Sequence, residues 1–268
     1  VDTVTVSGNG VRATIGDGAA TIDTAGVERL NLIDGGGPAA DNDSFTINDL
    51  SATSVTRVDV TVGSDNDSVT VHGTSGADSV AIAESSSVMV TGLAAEVRVH
   101  ASNALDTVTF DGDEGDDRLE VTSNAATVTI DTASGARTIA GIATATVIYA
   151  DTETLHVVDG GLTTNLAVSG STAYTHTPGS ATDEGTLTAD SLNITYTGIA
   201  AGEAITLTGA GTDSLTVFGT NSNDAFTTVS STSVQLAGRA NLSLTGIETI
   251  TDEDRKSTRL NSSHVRLS

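Results

Sequence analysis

An all-β fold, a parallel β-solenoid (β-helix) of stacked short strands, is the fold class that this 268-residue sequence predicts. Apolar and polar residues alternate in short runs, as they do in strands with one buried face. Six of these runs, such as DTVTV from Asp2 and DSVTV from Asp67, begin with an aspartate. An equivalent run begins at Asp106, 39 residues after Asp67. Together these observations indicate a repeat protein whose units bury a core only by stacking on one another.

The repeat is visible as an internal alignment. Residues 67–92 align without gaps onto residues 213–238, with the aspartates, a Gly-Thr pair and the final glycine conserved between the two copies. We expect Thr and Ser within the strands to stack in ladders between neighbouring coils. The alternative is a chain of tandem β-sandwich domains. The short repeat and the absence of tryptophan disfavour it, because such domains need roughly 100 residues each and immunoglobulin domains carry a buried Trp.

The pattern divides the chain into four segments. We expect solenoid repeats at residues 1–158 and 206–253, a divergent coil or protruding loop at 159–205, and an artefactual disordered tail at 254–268. The tail segment Asp254–His264 reads DRKSTRLNSSH and resembles the in-frame translation of a common sequencing adapter. Such segments are excluded from fold reasoning. The remaining residues are interpreted as an internal fragment of a longer protein.

The charge is strongly acidic. The tail holds four of the eleven basic residues and one of the 35 acidic residues, so residues 1–253 contain seven arginines, 34 acids and a formal charge of −27. Such a surface repels nucleic acid and anionic membranes, because binding to either needs Lys and Arg to replace counterions. No apolar run approaches the roughly 18 residues that suggest a membrane span, so we expect no membrane insertion. The absence of cysteine excludes disulfides and thiolate metal sites.

Acidic turns precede the strands, and they are the candidate metal sites. The densest one, FDGDEGDDRLEV at residues 110–121, places five acids between two apolar runs. Neighbouring carboxylates repel each other, and a divalent cation relieves that repulsion. The alternative is a solvated turn whose aspartates cap main-chain N–H groups. The candidate ligands are Asp111, Asp113, Asp116, Asp117, Asp78, Asp67, Asp65, Asp213, Asp224, Asp41 and Asp43.

The turn GDEGDDRLE, from Gly112 to Glu120, resembles the glycine-rich nonapeptide of RTX (hemolysin-type) calcium-binding proteins, with Asp113 in place of the second glycine. Weaker matches begin at Gly73, Thr208, Gly219 and Val62, and all of them together cover under a fifth of the chain. The resemblance implies a bacterial secreted or cell-surface β-solenoid and calcium as the cofactor. Calcium takes six to eight oxygens, and the family supplies them from tandem turns, whereas each good match here stands alone.

The sequence shows no H-E-x-x-H, G-x-S-x-G or Walker pattern, and we predict no enzyme. The predicted function is a structural stalk or spacer of a large adhesin-like protein, extracellular or at the cell surface. Its partners would be neighbouring repeats of the same chain, together with a cell-surface glycan or protein. The alternative is a polysaccharide-binding or polysaccharide-degrading β-helix, disfavoured because the seven arginines are thinly spread in the sequence. Tyr174 and Tyr196 are where an aromatic binding patch is expected, and His72, His100 and His156 are expected to face solvent.

Overall fold

The computed structural model describes residues 2–34, 42–84, 86–101, 103–133, 137–161, 164–220, 226–253 and 263–266. Over these ranges the chain is all-β, without a helix, and forms a β-solenoid of about six turns, as the sequence predicts. The alternative of tandem β-sandwich domains is therefore wrong. The described residues consequently contain no helix with the length and apolarity needed to cross a membrane.

The chain forms 27 strands over the described ranges. The first fourteen are β1 (Thr3–Asn9), β2 (Arg12–Gly16), β3 (Thr21–Ala25), β4 (Arg29–Ile33), β5 (Ser44–Ile47), β6 (Arg57–Thr61), β7 (Ser68–His72), β8 (Ser79–Glu84), β9 (Val88–Thr91), β10 (Glu96–His100), β11 (Thr107–Asp111), β12 (Arg118–Ser123), β13 (Thr127–Asp131) and β14 (Thr138–Ala140). The others are β15 (Thr146–Ala150), β16 (Thr154–Asp159), β17 (Asn165–Ser169), β18 (Ala173–Pro178), β19 (Glu184–Ala189), β20 (Leu192–Thr197), β21 (Ala204–Thr208), β22 (Ser214–Phe218), β23 (Phe226–Ser230), β24 (Ser233–Leu236), β25 (Asn241–Thr245), β26 (Thr249–Glu253) and β27 (Ser263–Arg266).

The strands belong to two compact units. Unit 1 comprises Val1–Thr122 and Ile142–Thr152, and unit 2 comprises Ser123–Gly141 and Glu153–Ser268. In unit 1 the strand orders are β3-β2-β1-β5-β7-β11-β15 and β4-β6-β10-β9-β8-β12. In unit 2 they are β23-β24-β25-β21-β17-β13-β14 and β27-β26-β22-β18-β19-β20-β16.

The 39-residue repeat is the step between parallel partners. In unit 1, Thr107 of β11 pairs with Ser68 of β7, and Arg118 of β12 pairs with Ser79 of β8. In unit 2, Asn193 of β20 pairs with Thr154 of β16. The step varies near the beginning of the chain, where β1 pairs with β5 across 41 residues and β5 pairs with β7 across 24.

Antiparallel meanders interrupt the parallel ladders, which the sequence analysis did not predict. In unit 1, β8, β9 and β10 form such a meander, and in unit 2 β18, β19 and β20 form another. Alternation of apolar residues is the same in parallel and antiparallel strands, so the pattern alone does not distinguish them. The meander turns require a backbone that L-residues rarely adopt, supplied by Gly92 at φ 105° and by Asp190 at φ 50°.

The core is a column of apolar side chains that register places side by side. In unit 1 the parallel pairs align Val6, Ile47, Val71, Phe110 and Tyr149, all of them buried. The outward residues of the same strands include the threonine ladder Thr5, Thr46, Thr70 and Thr109, as expected. Each turn therefore closes the apolar face of its neighbour, which is how short strands with few aromatic residues build a continuous core.

Residues 159–205 and the described part of the tail both contain strands. The segment 159–205 contains β17 to β20 and the beginning of β21, all paired within unit 2. Of the tail 254–268, only Ser263–Arg266 is described, and it forms β27 antiparallel to β26.

Candidate metal centre

The aspartates that precede the strands form a ladder that crosses from turn to turn. In unit 1 the Asp43 carboxylate accepts the main-chain N–H of Asp2 at 2.6 Å, and the Asp67 carboxylate accepts that of Asp43 at 2.7 Å. The Asp106 carboxylate in turn accepts the N–H of Asp67 at 3.2 Å. Asp43, Asp67 and Asp106 are all buried. Each carboxylate thus satisfies a main-chain amide of the preceding turn, a charge-assisted bond worth about 1.5–3 kcal/mol.

The same arrangement recurs at the other strands. The Asp117 carboxylate accepts the N–H of Asp78 at 2.7 Å in unit 1. In unit 2 a glutamate takes the role, because Glu248 accepts the N–H of Asp213 at 2.7 Å and Glu203 accepts that of Thr164 at 3.2 Å. The two glutamates were missed in the sequence, where only aspartates were considered.

Glycines in these turns make room for the carboxylates. A Cβ on Gly112 would lie 2.5 Å from Asp117 Oδ2 and 2.1 Å from the carbonyl oxygen of Asp151 in the next turn. A Cβ on Gly73 would likewise lie 2.7 Å from Asp78 Oδ2. The glycine-to-aspartate spacing that resembles the RTX nonapeptide therefore has a structural reason that involves no ion, namely close approach of the backbone to a capping carboxylate.

Asp67 of the ladder lies in electrostatically unfavourable surroundings. Burial raises the pKa of its carboxyl above the ordinary value, the N–H donated by Asp43 opposes the rise, and the charges of Asp106, Asp34 and Asp43 add to it. Its Oδ2 is buried and has no hydrogen-bond partner among the described residues. The Asp34 and Asp67 carboxylates both approach the Cα of Gly63, where a Cβ would lie 2.0 Å and 3.8 Å from their respective Oδ2 atoms.

The acidic turn at residues 110–121 brings only some of its carboxylates together. Asp117 is buried and belongs to the ladder, Asp116 and Asp113 are exposed, and Asp111 is half-buried. Asp111 and Asp113 converge instead on His72 of the neighbouring strand, whose Nδ1 lies 3.1 Å from Asp113 Oδ1 and 3.8 Å from Asp111 Oδ2.

His72 joins the candidate site because of strand register. Asp111 at the end of β11 is the parallel partner of His72 at the end of β7. The sequence analysis placed His72 in solvent, and its side chain is 26% exposed. The 39-residue spacing between His72 and Asp111 was the signal that could have found the pair.

The three ligand atoms of His72, Asp111 and Asp113 lie within 4.8 Å of one another, so one metal ion could contact all three. An imidazole nitrogen with two carboxylates suits zinc or another first-row transition metal. Calcium prefers six to eight oxygens, so this group fits calcium less well than it fits a transition metal.

The remaining predicted ligands do not join this group. Asp78 and Asp65 are half-buried, and Asp43 and Asp213 are buried at the starts of β5 and β22. Asp78 Oδ2 accepts the N–H of Thr74 at 2.6 Å. Asp41 and Asp224 lie outside the described residues.

The tyrosines expected to form an aromatic patch are buried in unit 2. Tyr174 is 1% exposed and Tyr196 is 4% exposed. Tyr196 stacks on His176, and its hydroxyl lies 2.8 Å from His176 Nε2. Burial, together with the nearby Arg239 charge, lowers the pKa of His176 to about 4. This cluster is part of the core and was not foreseen from the sequence.

Comparisons with protein-family models, with curated proteins and with solved structures find no match to this chain. The likeness to RTX proteins therefore remains one of turn sequences, and a functional proposal has to rest on the geometry of the chain itself.

Proposed function

We propose that this chain is a structural repeat segment, a stalk or spacer, of a large bacterial cell-surface or secreted adhesin-like protein. The observation that carries the proposal is the carboxylate ladder Asp2, Asp43, Asp67 and Asp106, which ties consecutive turns by hydrogen bonds in addition to the parallel strand pairing. Links of this kind resist the opening of one turn from the next, as a spacer requires.

Composition supports the same proposal. Buried side chains are mostly Val, Ile and Leu, arranged in thin layers between turns. The surface is strongly acidic, which favours solubility in saline surroundings. The chain lacks cysteine, so its stability does not depend on the redox state of the compartment.

Calcium ordering is the second part of the proposal. Asp67 is the residue at which a cation would have the largest effect, because its carboxylate is buried and the carboxylates of Asp34, Asp43 and Asp106 already raise its pKa. A divalent cation shared with Asp34 would offset that repulsion.

The spacer role is testable by distance measurement, since the chain has no cysteine of its own. Spin labels would be attached to Ile22→Cys and Leu105→Cys, both exposed positions of unit 1. The control is the same labelled pair in denaturing urea. We expect a narrow distance distribution for the folded chain, because the linked turns of the unit keep their spacing. A distribution as broad as that in urea would overturn the spacer proposal.

A further inference from the structure

Three of the seven arginines outside the tail meet on the outer face of β4, β6 and β10. Register pairs Arg29 with Arg57, and it pairs Asp59 with Arg98 on the next strand. The thin spread of the arginines along the sequence predicts isolated surface residues. The structure corrects that expectation, because the 28-residue step from β4 to β6 and the 39-residue step from β6 to β10 bring them together. We call this set of residues, with His100, the arginine face.

A carboxylate beneath the arginines holds them in place. Arg29 Nε and Arg57 Nε each donate to Asp59 Oδ2 at 2.8 Å, and the Asp59 side chain is only 4% exposed. Burial acts to raise the pKa of Asp59, but the hydrogen bonds from Arg57 and Arg29 outweigh it and the pKa is lowered. Asp59 therefore stays ionised and orders the guanidinium groups, and its charge neutralises one of theirs.

The exposed groups of the arginine face are mainly cationic. The side chains of Arg29, Arg57 and Arg98 are 60%, 28% and 32% exposed, and that of His100 is 41% exposed. Glu96, which accepts from Arg98 Nε, is the partly exposed acid of the group. Among the described residues, the Nη groups of Arg29 and Arg98 have no hydrogen-bond acceptor. These donors are free to bind an anion.

The neighbouring side chains point to the class of ligand. Asn31, on β4, is exposed and is the register partner of Asp59, and Thr61 of β6 is half-buried at the next outward position. Their amide and hydroxyl groups can hydrogen-bond to alcohols between the guanidiniums. Adjacent strands lie about 4.8 Å apart, so the arginines are distributed across roughly 10 Å of an open sheet. That layout fits a chain with repeated anionic groups better than one small anion.

We propose that the arginine face binds an anionic polysaccharide, whose carboxylate or sulfate groups pair with Arg29, Arg57 and Arg98 while Asn31 and Thr61 contact its hydroxyls. Guanidinium groups bind both kinds of oxyanion with two parallel hydrogen bonds. Nucleic acid is disfavoured, because it requires many phosphate contacts and the face offers three arginines. The inference goes beyond the spacer role and does not depend on it.

The test uses the full chain and three immobilised polymers: polygalacturonate for carboxylate, dextran sulfate for sulfate, and neutral dextran. Measurements are made in EDTA, because calcium could bridge an acidic protein to an acidic polymer. We expect binding to at least one anionic polymer and none to dextran. The double variant Arg29→Gln/Arg98→Gln should weaken it at least about tenfold. Arg57 is retained because, with Arg29 replaced, it is the arginine that still bonds to the buried Asp59.

The matched control is Arg12→Gln/Arg118→Gln, which removes the same charge from unit 1 at two arginines that pair with Asp23 and Glu120. It should change the affinity less than about twofold, because Arg12 and Arg118 lie on β2 and β12, outside the arginine face. Binding to one polymer alone identifies the oxyanion, and binding to both shows that the site recognises charge. The proposal is overturned if neither polymer binds in EDTA, if binding appears only with calcium, or if the control variant weakens binding as much as the test variant. Melting curves of both variants establish that they are folded.

Discussion

The Asp67 carboxylate accepts the main-chain N–H of Asp43 at 2.7 Å across 24 residues of sequence. The same carboxylate is buried, and three other acids raise its pKa. The Asp67 side chain therefore stabilises the fold as a hydrogen-bond acceptor, whereas its negative charge destabilises the fold. A substitution that keeps the acceptor and removes the charge separates these two effects.

Replacing Asp67 by Asn keeps an acceptor oxygen and removes the charge. Because the folded state holds the Asp67 proton more tightly than the unfolded state, ionisation lowers stability as pH rises from the unfolded pKa through the folded pKa. In EDTA we expect Asp67→Asn to melt higher than the native chain at pH 7, and the gain to vanish near pH 3. The control is Asp49→Asn, which removes an exposed charge from unit 1 and should raise the melting temperature less. A lower melting temperature for Asp67→Asn at pH 7 would show that the ladder needs the charge.

Calcium should act through the same residue. We expect millimolar calcium to raise the melting temperature of the native chain, followed by circular dichroism, relative to EDTA. Asp67→Asn should lose most of this increase, since it removes the carboxylate beside Asp34. Asp49→Asn should retain the increase. Identical melting curves with calcium and with EDTA would show that the acidic turns bind no calcium and that their aspartates only accept main-chain N–H groups.

Close approach of the turns predicts a strong effect at Gly112. A methyl group there would meet the Asp151 carbonyl and the Asp117 carboxylate, so Gly112→Ala should destabilise the chain by about 1–3 kcal/mol or more. Gly76 offers a control in the same unit, since a Cβ there has only Thr74 Oγ1 nearby, at 3.9 Å. Urea unfolding of both variants would measure the difference. Equal midpoints would contradict the tight stacking of glycine turns.

The buried His176 predicts acid sensitivity in unit 2. Its folded pKa of about 4 lies below the ordinary value of 6.5, so the unfolded state binds the proton more tightly. Stability is retained above pH 6.5 and decreases as pH falls toward 4, by about 3 kcal/mol in all. His176→Gln should flatten this part of the stability–pH curve, whereas His156→Gln, at a half-buried position, should not. If stability falls equally steeply with decreasing pH in the native chain and in His176→Gln, His176 is not the source of the acid sensitivity.

The sequence was sufficient to predict the strands and the 39-residue repeat, but not which strands are parallel neighbours, since a step of about half a unit was equally compatible with the alternation. Alternation marked the buried face, and the spacing from Asp67 to Asp106 matched the pairing of β7 with β11. The antiparallel return through Val88 and Val90 was not predictable, because that strand has the same alternation as its parallel neighbours.

The site was predictable only in part, because side chains meet through registers that differ along the chain. Asp111 and Asp113 were identified, but His72 required knowledge of the neighbouring strand. Arg29 and Arg57 meet through a 28-residue step rather than the 39-residue one. The repeat spacing therefore gave no indication that Arg29 joins the arginine face.

The carboxylate ladder also has a direction. In every described link the amide belongs to the earlier residue and the carboxylate to the later one: Asp2 to Asp43, Asp43 to Asp67, Asp67 to Asp106, and Asp78 to Asp117. A chain that leaves the ribosome or a secretion channel amino end first therefore cannot complete one turn until the carboxylate of the next turn has emerged. Assembly then trails synthesis by 24 to 41 residues, and the most recently emerged turn always has an incomplete set of hydrogen bonds.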